Sequence, residues 1–394
     1  MPSRQTLKWI APAFLATFFA TSAVYAQNPD VQAEERAEAT AATTADPMDQ
    51  FELEASLIGT YQSASDGRID DEAGLRPEVL MTIPVFGYGR VHLHAEGSTT
   101  PKSSGVTTFL PDANANIGPA TNSSGHGRLQ MSEAYYEVQF GGLGVNVGLL
   151  DTTAFLDSSA IMGDEHTQFV NATLVHNATI EFPDYTLGVV MTTEGEGAMP
   201  GLTLVAGSTN GLGDNPSKTY SELFDVRSSG KGVFAAAEAG WGLEALGDDG
   251  AARIGAWVNT ADHAYVDLTP GTTDNKGVYG VLEGTAIGTG WSLRAGLADE
   301  SASAADWFVG AALQRNITDE LVAGLGATQT GANDDLGAGF SDSTQAEIYV
   351  KYDVLPQLSL TPSVQWIRNP GFDDTDIVVD QDNYVFGLRV GVSL

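Results

Sequence analysis

The chain has 394 residues, no cysteine, and 51 acidic against 18 basic residues, so its formal net charge at pH 7 is −33. The absence of cysteine excludes disulfide frameworks, thiolate metal sites and thiol nucleophiles. Such a negative chain is poorly suited to the phosphate backbone of nucleic acids, and we expect no nucleic-acid partner.

The first residues have the three parts of a secretory signal peptide. Two basic residues precede an apolar run over residues 10–19, and Val-Tyr-Ala at residues 24–26 forms a small-residue cleavage site. The apolar run is too short for a membrane helix, so we expect residues 1–26 to be removed. Residues 27–48 are rich in Ala, Glu and Thr and lack aromatic residues, which predicts a disordered acidic leader.

From there to the end, apolar and polar residues alternate along segments of about ten residues, as in membrane β-strands. The last segment is the clearest, because Tyr384, Phe386 and Leu388 alternate with Gly387 and Arg389. Short links alternate with long links that are acidic or rich in Ser, Gly and Asn. No later stretch is apolar enough for a membrane helix, so a spanning chain of this kind has to close into a barrel.

These patterns predict an all-β domain over residues 49–394. We expect a single transmembrane antiparallel β-barrel of about sixteen strands, with short periplasmic turns and long extracellular loops. Residues 51–61 and 384–394 should pair and close it. A large soluble β-sandwich would also alternate, but its inward positions would be dry, whereas here they repeatedly carry Arg, Glu and His.

One link differs from the others. Residues 129–149 predict a β-hairpin with a Gly-Gly pair at the turn. Residues 151–183 then lose the period of two and mix apolar residues with Asp164, Glu165 and His166. Long loops of this kind are usually functional. We expect this loop to fold into the lumen and form a constriction.

Three blocks of the sequence resemble the carbohydrate-selective porins of the OprB type. They are LQMSEAYYEVQFGG at residues 129–142, the segment beginning GLLDTTAFLD at residues 148–188, and LTPSVQWIRNPGF at residues 360–372, followed by GLRV in the last strand. The resemblance implies a sixteen-stranded channel in the outer membrane of a Gram-negative bacterium, through which small sugars diffuse passively into the periplasm. The chain departs from the family at Leu149, where lysine is frequent, and at Leu394, where outer-membrane proteins more often have phenylalanine.

The resemblance also implies the partners. These are small sugars, outer-membrane lipid and lipopolysaccharide, and the barrel-assembly machinery, while the barrel could be a monomer or a trimer. No cofactor is expected, although acidic runs in the outer loops could bind divalent cations weakly. His92, His94 and Glu96 make a weak case for a metal site, because they lie on one strand with no further histidine nearby.

A sugar needs paired donors and acceptors for its hydroxyl groups and aromatic rings for its apolar faces. We therefore expect inward side chains to line the sugar path, with Arg90 and Glu133 as the preferred donor–acceptor pair and Tyr135 as the nearest aromatic face. Any single charge could also simply solvate a wide lumen. The predicted path and constriction residues are Arg90, His92, Glu96, Glu133, Tyr135, Glu137, Asp164, Glu165, His166, Trp257 and Arg294.

An enzyme is not expected, because the sequence has neither a Gly-x-Ser-x-Gly motif nor a phosphate-binding loop. Two other functions stay open at this point. One is a general or cation-preferring porin of the same fold, and the other is a secreted sugar-binding β-protein.

Overall fold

The computed structural model describes residues 50–394 except Phe86, residues 227–229 and Asp376. The predicted signal peptide and leader lie outside the described residues. Sixteen strands in the described part of the chain form one closed antiparallel sheet in which each strand pairs with its sequence neighbours. Their bounds, from β1 to β16, are Glu52–Ala64, Glu72–Pro84, Arg90–Gly97, Leu129–Phe140, Leu143–Leu150, Thr186–Thr193, Gly201–Ser208, Val233–Gly242, Asp248–Ala264, Thr272–Ala286, Thr289–Ala298, Ala305–Thr318, Leu321–Ala332, Ser343–Leu355, Leu358–Arg368 and Asp382–Ser393.

Helical structure is confined to single turns in the links. Among the described residues, no helix has the length and apolar character needed to cross a bilayer. The α-helical turns are Val106–Phe109 and Ala172–Val175. The 3₁₀ turns are Pro111–Ala113, Thr152–Ala154, Glu222–Phe224, Glu244–Leu246, Asp334–Leu336 and Pro370–Phe372.

The first and last strands close the barrel. β1 and β16 pair antiparallel from Ser56 opposite Ser393 to Ala64 opposite Val385. The predicted sixteen-stranded barrel and the predicted pairing of its ends are therefore confirmed.

The two faces of each strand have opposite character, because successive side chains point to opposite sides of a sheet. In β16, Tyr384, Phe386 and Leu388 are 42–55 % exposed, whereas Val385 and Arg389 are buried. The exposed apolar side chains form the surface that meets lipid, and the alternate ones point into the barrel.

A lysine at Leu388 is expected to impair membrane insertion far more than a lysine at Ser393. A cation on the lipid face near the bilayer midplane costs about 2–4 kcal/mol, and less near the interfaces or in a wet lumen. The yield of heat-modifiable barrel in detergent measures the difference. Equal yields for the two variants would mean that the face assignment is wrong.

The links divide into two sets, as predicted. Those that follow even-numbered strands are tight, such as residues 141–142, where Gly141 has φ +61°. Those that follow odd-numbered strands include the long links at residues 98–128 and 151–185. Part of each of these two links folds into the barrel. In the first of these links, Val106, Leu110 and Ala113 pack on the inward side chains of Ile367 and Val385.

The link after β7 seals a gap in the wall. β5 ends at Leu150, where the chain turns inward, so the upper part of β4 pairs with β3 but has no strand on its other side. The hydroxyl of Tyr220 accepts a hydrogen bond from the Met131 amide at 2.7 Å. Leu212 and Leu223 pack against Leu149 beside it. The wall stays closed although the chain leaves it.

Candidate functional site: a loop across the lumen

Residues 151–185 cross the lumen and attach to its far wall through backbone amides. Glu238 on β8 accepts a hydrogen bond from the amide of Asp157 at 2.9 Å, and Glu283 on β10 accepts one from Ala160 at 2.9 Å. Glu347 on β14 accepts hydrogen bonds from the amides of Val170 and Asn171 at 3.0 and 2.9 Å. A carboxylate that accepts backbone N–H groups forms strong, charge-assisted hydrogen bonds. Three wall glutamates thus fix the path of the loop.

Two arginines hold the carbonyl groups of the same loop. Arg294 on β11 donates to the carbonyls of Val175 and Asp157 at 2.8 and 2.7 Å and pairs with the Asp157 carboxylate at 3.2 Å. Arg389 on β16 donates to the carbonyls of Glu165 and Gln168 at 2.7 and 2.6 Å. Arg294 was predicted to line the sugar path. It is 2 % exposed and braces the loop instead, because the loop covers that wall.

Apolar contacts complete the attachment. Met162, Phe169 and Leu174 of the loop form a buried cluster with Tyr349 on β14, and the rings of Phe169 and Tyr349 meet edge to face with centroids 5.0 Å apart. Trp257 on β9 lies in a second buried cluster that includes the loop residues Leu156 and Ile180 and is 3 % exposed. The prediction that Trp257 lines the path is therefore wrong.

Inward glycines make room for this close approach. A Cβ atom on Gly296 would lie 2.0 Å from Thr179 Oγ1, and one on Gly326 would lie 2.7 Å from Leu174 Cδ2. A larger residue at either position would force the contacting side chain of the loop to shift.

Charged side chains gather on the opposite wall, formed by β2, β3 and β4. Arg90 pairs with Glu137 at 2.9 Å, and His92 Nε2 lies 2.6 Å from the same carboxylate. His94 Nδ1 lies 3.3 Å from Glu133. The preferred pair of Arg90 with Glu133 is wrong, because the strand register sets Arg90 opposite Glu137 and His94 opposite Glu133. We call these five side chains the wall cluster.

Arg76 on β2 joins the wall to the loop and was missed at the sequence level. Its guanidinium pairs with Glu78 at 2.8 Å, with Glu96 at 3.0 Å and with Glu165 of the loop at 2.7 Å. Glu78, His94 and Glu96 are close enough to one another to share a metal ion. The Arg76 guanidinium already provides the positive charge between the two carboxylates.

The three predicted loop residues have different surroundings. Asp164 accepts hydrogen bonds from the amides of His166 and Thr167, at 2.8 and 3.2 Å, and so stabilises a turn of the loop itself. Glu165 and His166 face the wall, with Glu165 on Arg76 and His166 Nδ1 3.4 Å from Glu78.

Aromatic rings lie beside the wall cluster. The rings of His92 and Tyr135 stack with centroids 4.7 Å apart and planes 17° apart, and Phe155 of the loop meets Tyr135 edge to face at 6.5 Å. A small cavity of about 50 Å³ opens at Thr82, His92 and Tyr135. The side chains of Arg90, His92 and Glu137 are 12–20 % exposed, whereas Trp257 and Arg294 on the far wall are buried under the loop.

Residues 98–128 form a second inward layer. The side chains of Gln62 and Gln365 both donate to the carbonyl of Ala113, at 2.7 and 2.8 Å. The amide of Ala115 donates to the carbonyl of Val170 at 2.9 Å, so the two loops are joined.

A family model described as the carbohydrate-selective porin, OprB family, matches residues 93–394. The chain belongs to the OprB family of carbohydrate-selective porins. Membership agrees with the closed sixteen-stranded barrel and makes the protein a sugar-selective channel of the Gram-negative outer membrane.

Solved structures share this fold at low sequence identity. Pseudomonas putida OprB, determined at high pH, superimposes with a TM-score of 0.68 at 18 % identity and covers 92 % of this chain and 97 % of its own. A mutant porin of Rh. blastica gives 0.51 at 14 % identity, over 88 % and 100 %. Vibrio cholerae OmpT, in its trimer form, also gives 0.51 at 14 % identity, over 88 % and 99 %.

An uncharacterised protein of Aquifex aeolicus is 38 % identical over 65 residues. The match covers 16 % of this chain and 21 % of that protein. It therefore adds nothing about function.

Proposed function

We propose that small neutral sugars diffuse passively between the lumen loop, residues 151–185, and the wall cluster. The observation that carries this proposal is the asymmetry of the lumen. The loop buries Trp257, Arg294 and Glu347 on the wall from β8 to β16. Arg90, His92 and Glu137 on the opposite wall keep part of their surface free. A solute in the remaining space meets donors, acceptors and an aromatic ring together.

The chemistry of this passage suits a sugar. Arg90 offers donors and Glu137 offers acceptors to neighbouring hydroxyl groups, while the stacked His92 and Tyr135 rings offer an apolar face. Glu165 and His166, which are 20 % and 25 % exposed, face this wall from the loop. A sugar can exchange its hydrogen bonds to water for bonds to these groups, so selection needs no covalent step. We accordingly propose neither catalysis nor a cofactor.

We also propose the surroundings of the barrel. Outer-membrane lipid and lipopolysaccharide surround the apolar face, and the barrel-assembly machinery inserts the chain. Each barrel contains a complete passage, so a monomer can transport, and assembly into trimers would not change the path. Weak divalent-cation binding at the acidic outer loops stays a secondary proposal.

A double-mutant cycle on Arg90 and Glu137 tests the proposed path. Arg90→Ala, Glu137→Ala and the double variant should each change glucose flux into liposomes and the ion reversal potential together. A hydrogen bond to a charged group is worth about 1.5–3 kcal/mol when dry, and less in a wet pore, so we expect changes of several-fold. The effects of the two single substitutions should not add up in the double variant, because the two side chains contact each other.

Lys351 provides the matched control. It forms an ion pair of 3.0 Å with Asp353 near the periplasmic end of β14, on the wall opposite Arg90 and Glu137. Lys351→Ala should leave glucose flux unchanged. If the Arg90 and Glu137 variants transport glucose like the original protein, the path lies elsewhere.

A further inference from the structure

A second binding site is indicated on the outside of the barrel, at the extracellular ends of β13, β14 and β15. A cavity of about 550 Å³ opens there beneath the link between β13 and β14. The side chains that matter for its chemistry are Gln329, Asp334, Phe340, Asp342, Trp366 and Arg368.

The barrel wall separates this cavity from the lumen. Thr328, Gln365 and Ile367 alternate with the cavity residues along β13 and β15, and they are buried on the inward face. Gln329, Trp366 and Arg368 therefore point outward. The sugar path does not include them.

The cavity lies where lipid headgroups meet the protein. Below it on the same face, Leu325, Ile348 and Val364 are 53 %, 51 % and 38 % exposed and form part of the apolar band. Above it are the polar outer links, and the link between β13 and β14 contributes Asn333 and Phe340 to the cavity lining. A ligand in this position would have its polar part in the cavity and its apolar part along the strands.

The lining combines an aromatic ring with planar polar groups. Trp366 Nε1 donates to Asp382 at 2.9 Å, which fixes the indole ring. Asp342 accepts hydrogen bonds from the Ala332 amide at 3.0 Å and from Gln329 Nε2 at 3.4 Å, and a carboxylate has lone pairs left for a ligand. A fixed ring beside amide and carboxylate groups suits a sugar, with its apolar ring face and its hydroxyl edge.

Arg368 favours a ligand that carries a negatively charged group. It is exposed and forms no ion pair with any residue in the described ranges, although acidic residues outnumber basic ones almost three to one in this chain. A guanidinium group binds phosphate through two parallel hydrogen bonds.

We infer that this cavity binds the phosphorylated sugar headgroup of an outer-leaflet glycolipid. Arg368 binds the phosphate, Trp366 packs on the sugar ring, and Gln329 and Asp342 bond its hydroxyl groups. The acyl chains lie along the apolar band below. The site depends on the membrane location of the barrel and not on the proposed sugar path, so either proposal can fail alone.

Native mass spectrometry of the full-length barrel in detergent, titrated with purified deep-rough lipopolysaccharide, tests the site. Arg368→Gln should weaken binding about tenfold or more, the effect of losing one charge-assisted contact. Phe340→Ala should weaken it less. Arg315→Gln is the matched control, because Arg315 also lies exposed on β12 beyond the outward-facing Leu313, but at the periplasmic end. It should bind as the original protein does.

Two further probes show which parts of the glycolipid the site requires. Phosphatidylglycerol carries a phosphate without a sugar, and glucose 6-phosphate carries both without acyl chains. The inference predicts weak binding of each compared with lipopolysaccharide. Equal weakening in the Arg368 and Arg315 variants, or binding of either probe as tight as that of lipopolysaccharide, would overturn it. Glucose flux should be unchanged in Arg368→Gln.

Discussion

A barrel that lacks residues 161–170 is expected to conduct ions several-fold better than the full chain and to lose its preference for sugars. The segment contains Met162 and Phe169, which cover the wall from β12 to β14. It also contains the two carbonyl groups that Arg389 holds, those of Glu165 and Gln168. Without the segment, the lumen widens and the charges that were paired with it face water.

The barrel itself should survive this deletion, because the interstrand hydrogen bonds do not involve the loop. Single-channel conductance and liposome swelling with glucose measure the effect. Deletion of residues 266–270, at the tip of the link between β9 and β10, is the control, since Leu268 there is 88 % exposed. Unchanged conductance in the variant lacking residues 161–170 would show that the constriction lies elsewhere.

Replacing Arg294 by methionine is expected to detach the loop from β11. The substitution removes the arginine donor from the carbonyls of Asp157 and Val175 and the cationic partner from the buried Asp157 carboxylate. Breaking a buried ion pair by removing one partner typically costs about 3–5 kcal/mol. We expect noisy, larger conductance and faster proteolysis within residues 151–185.

Two controls separate detachment from misfolding. Arg294→Lys keeps the charge but cannot reproduce the guanidinium geometry, so its conductance should be intermediate. Arg315→Met removes an exposed arginine from the outer face and should have no effect on conductance. If Arg294→Met conducts quietly at the original level, the arginine is not a brace.

The fold could be predicted because the lipid selects one face of every strand. Leu388, Phe386 and their counterparts repeat with a period of two, and this period is set by strand geometry alone. The same period does not determine the register, that is, which residues of neighbouring strands lie opposite each other. Arg90 could be opposite Glu133 or Glu137 without changing which face either occupies, and only the pairing of β3 with β4 decides it.

The sequence also could not predict which wall of the barrel the lumen loop covers. Trp257 and Arg294 point inward, as the alternation requires, but they are covered because the loop lies on that side. The inward glycines, such as Gly296 and Gly326, were a usable signal, since they mark where another backbone or side chain comes close to the wall. In the link at residues 98–128, the apolar residues Val106 and Leu110 were a similar signal, and both are buried in the structure.

The central claim is that solutes pass between residues 151–185 and the wall of β2 to β4. Because the chain has no cysteine, single cysteines can be introduced without a background of reactive thiols. Thr82, beside His92, would line the passage, whereas Thr328 is buried beneath the loop and its hydroxyl is 2.7 Å from that of Thr173. A charged methanethiosulfonate reagent should reduce the conductance of Thr82→Cys and leave Thr328→Cys unchanged. A blocked Thr328→Cys channel with an unaffected Thr82→Cys channel would place the passage on the opposite side of the loop.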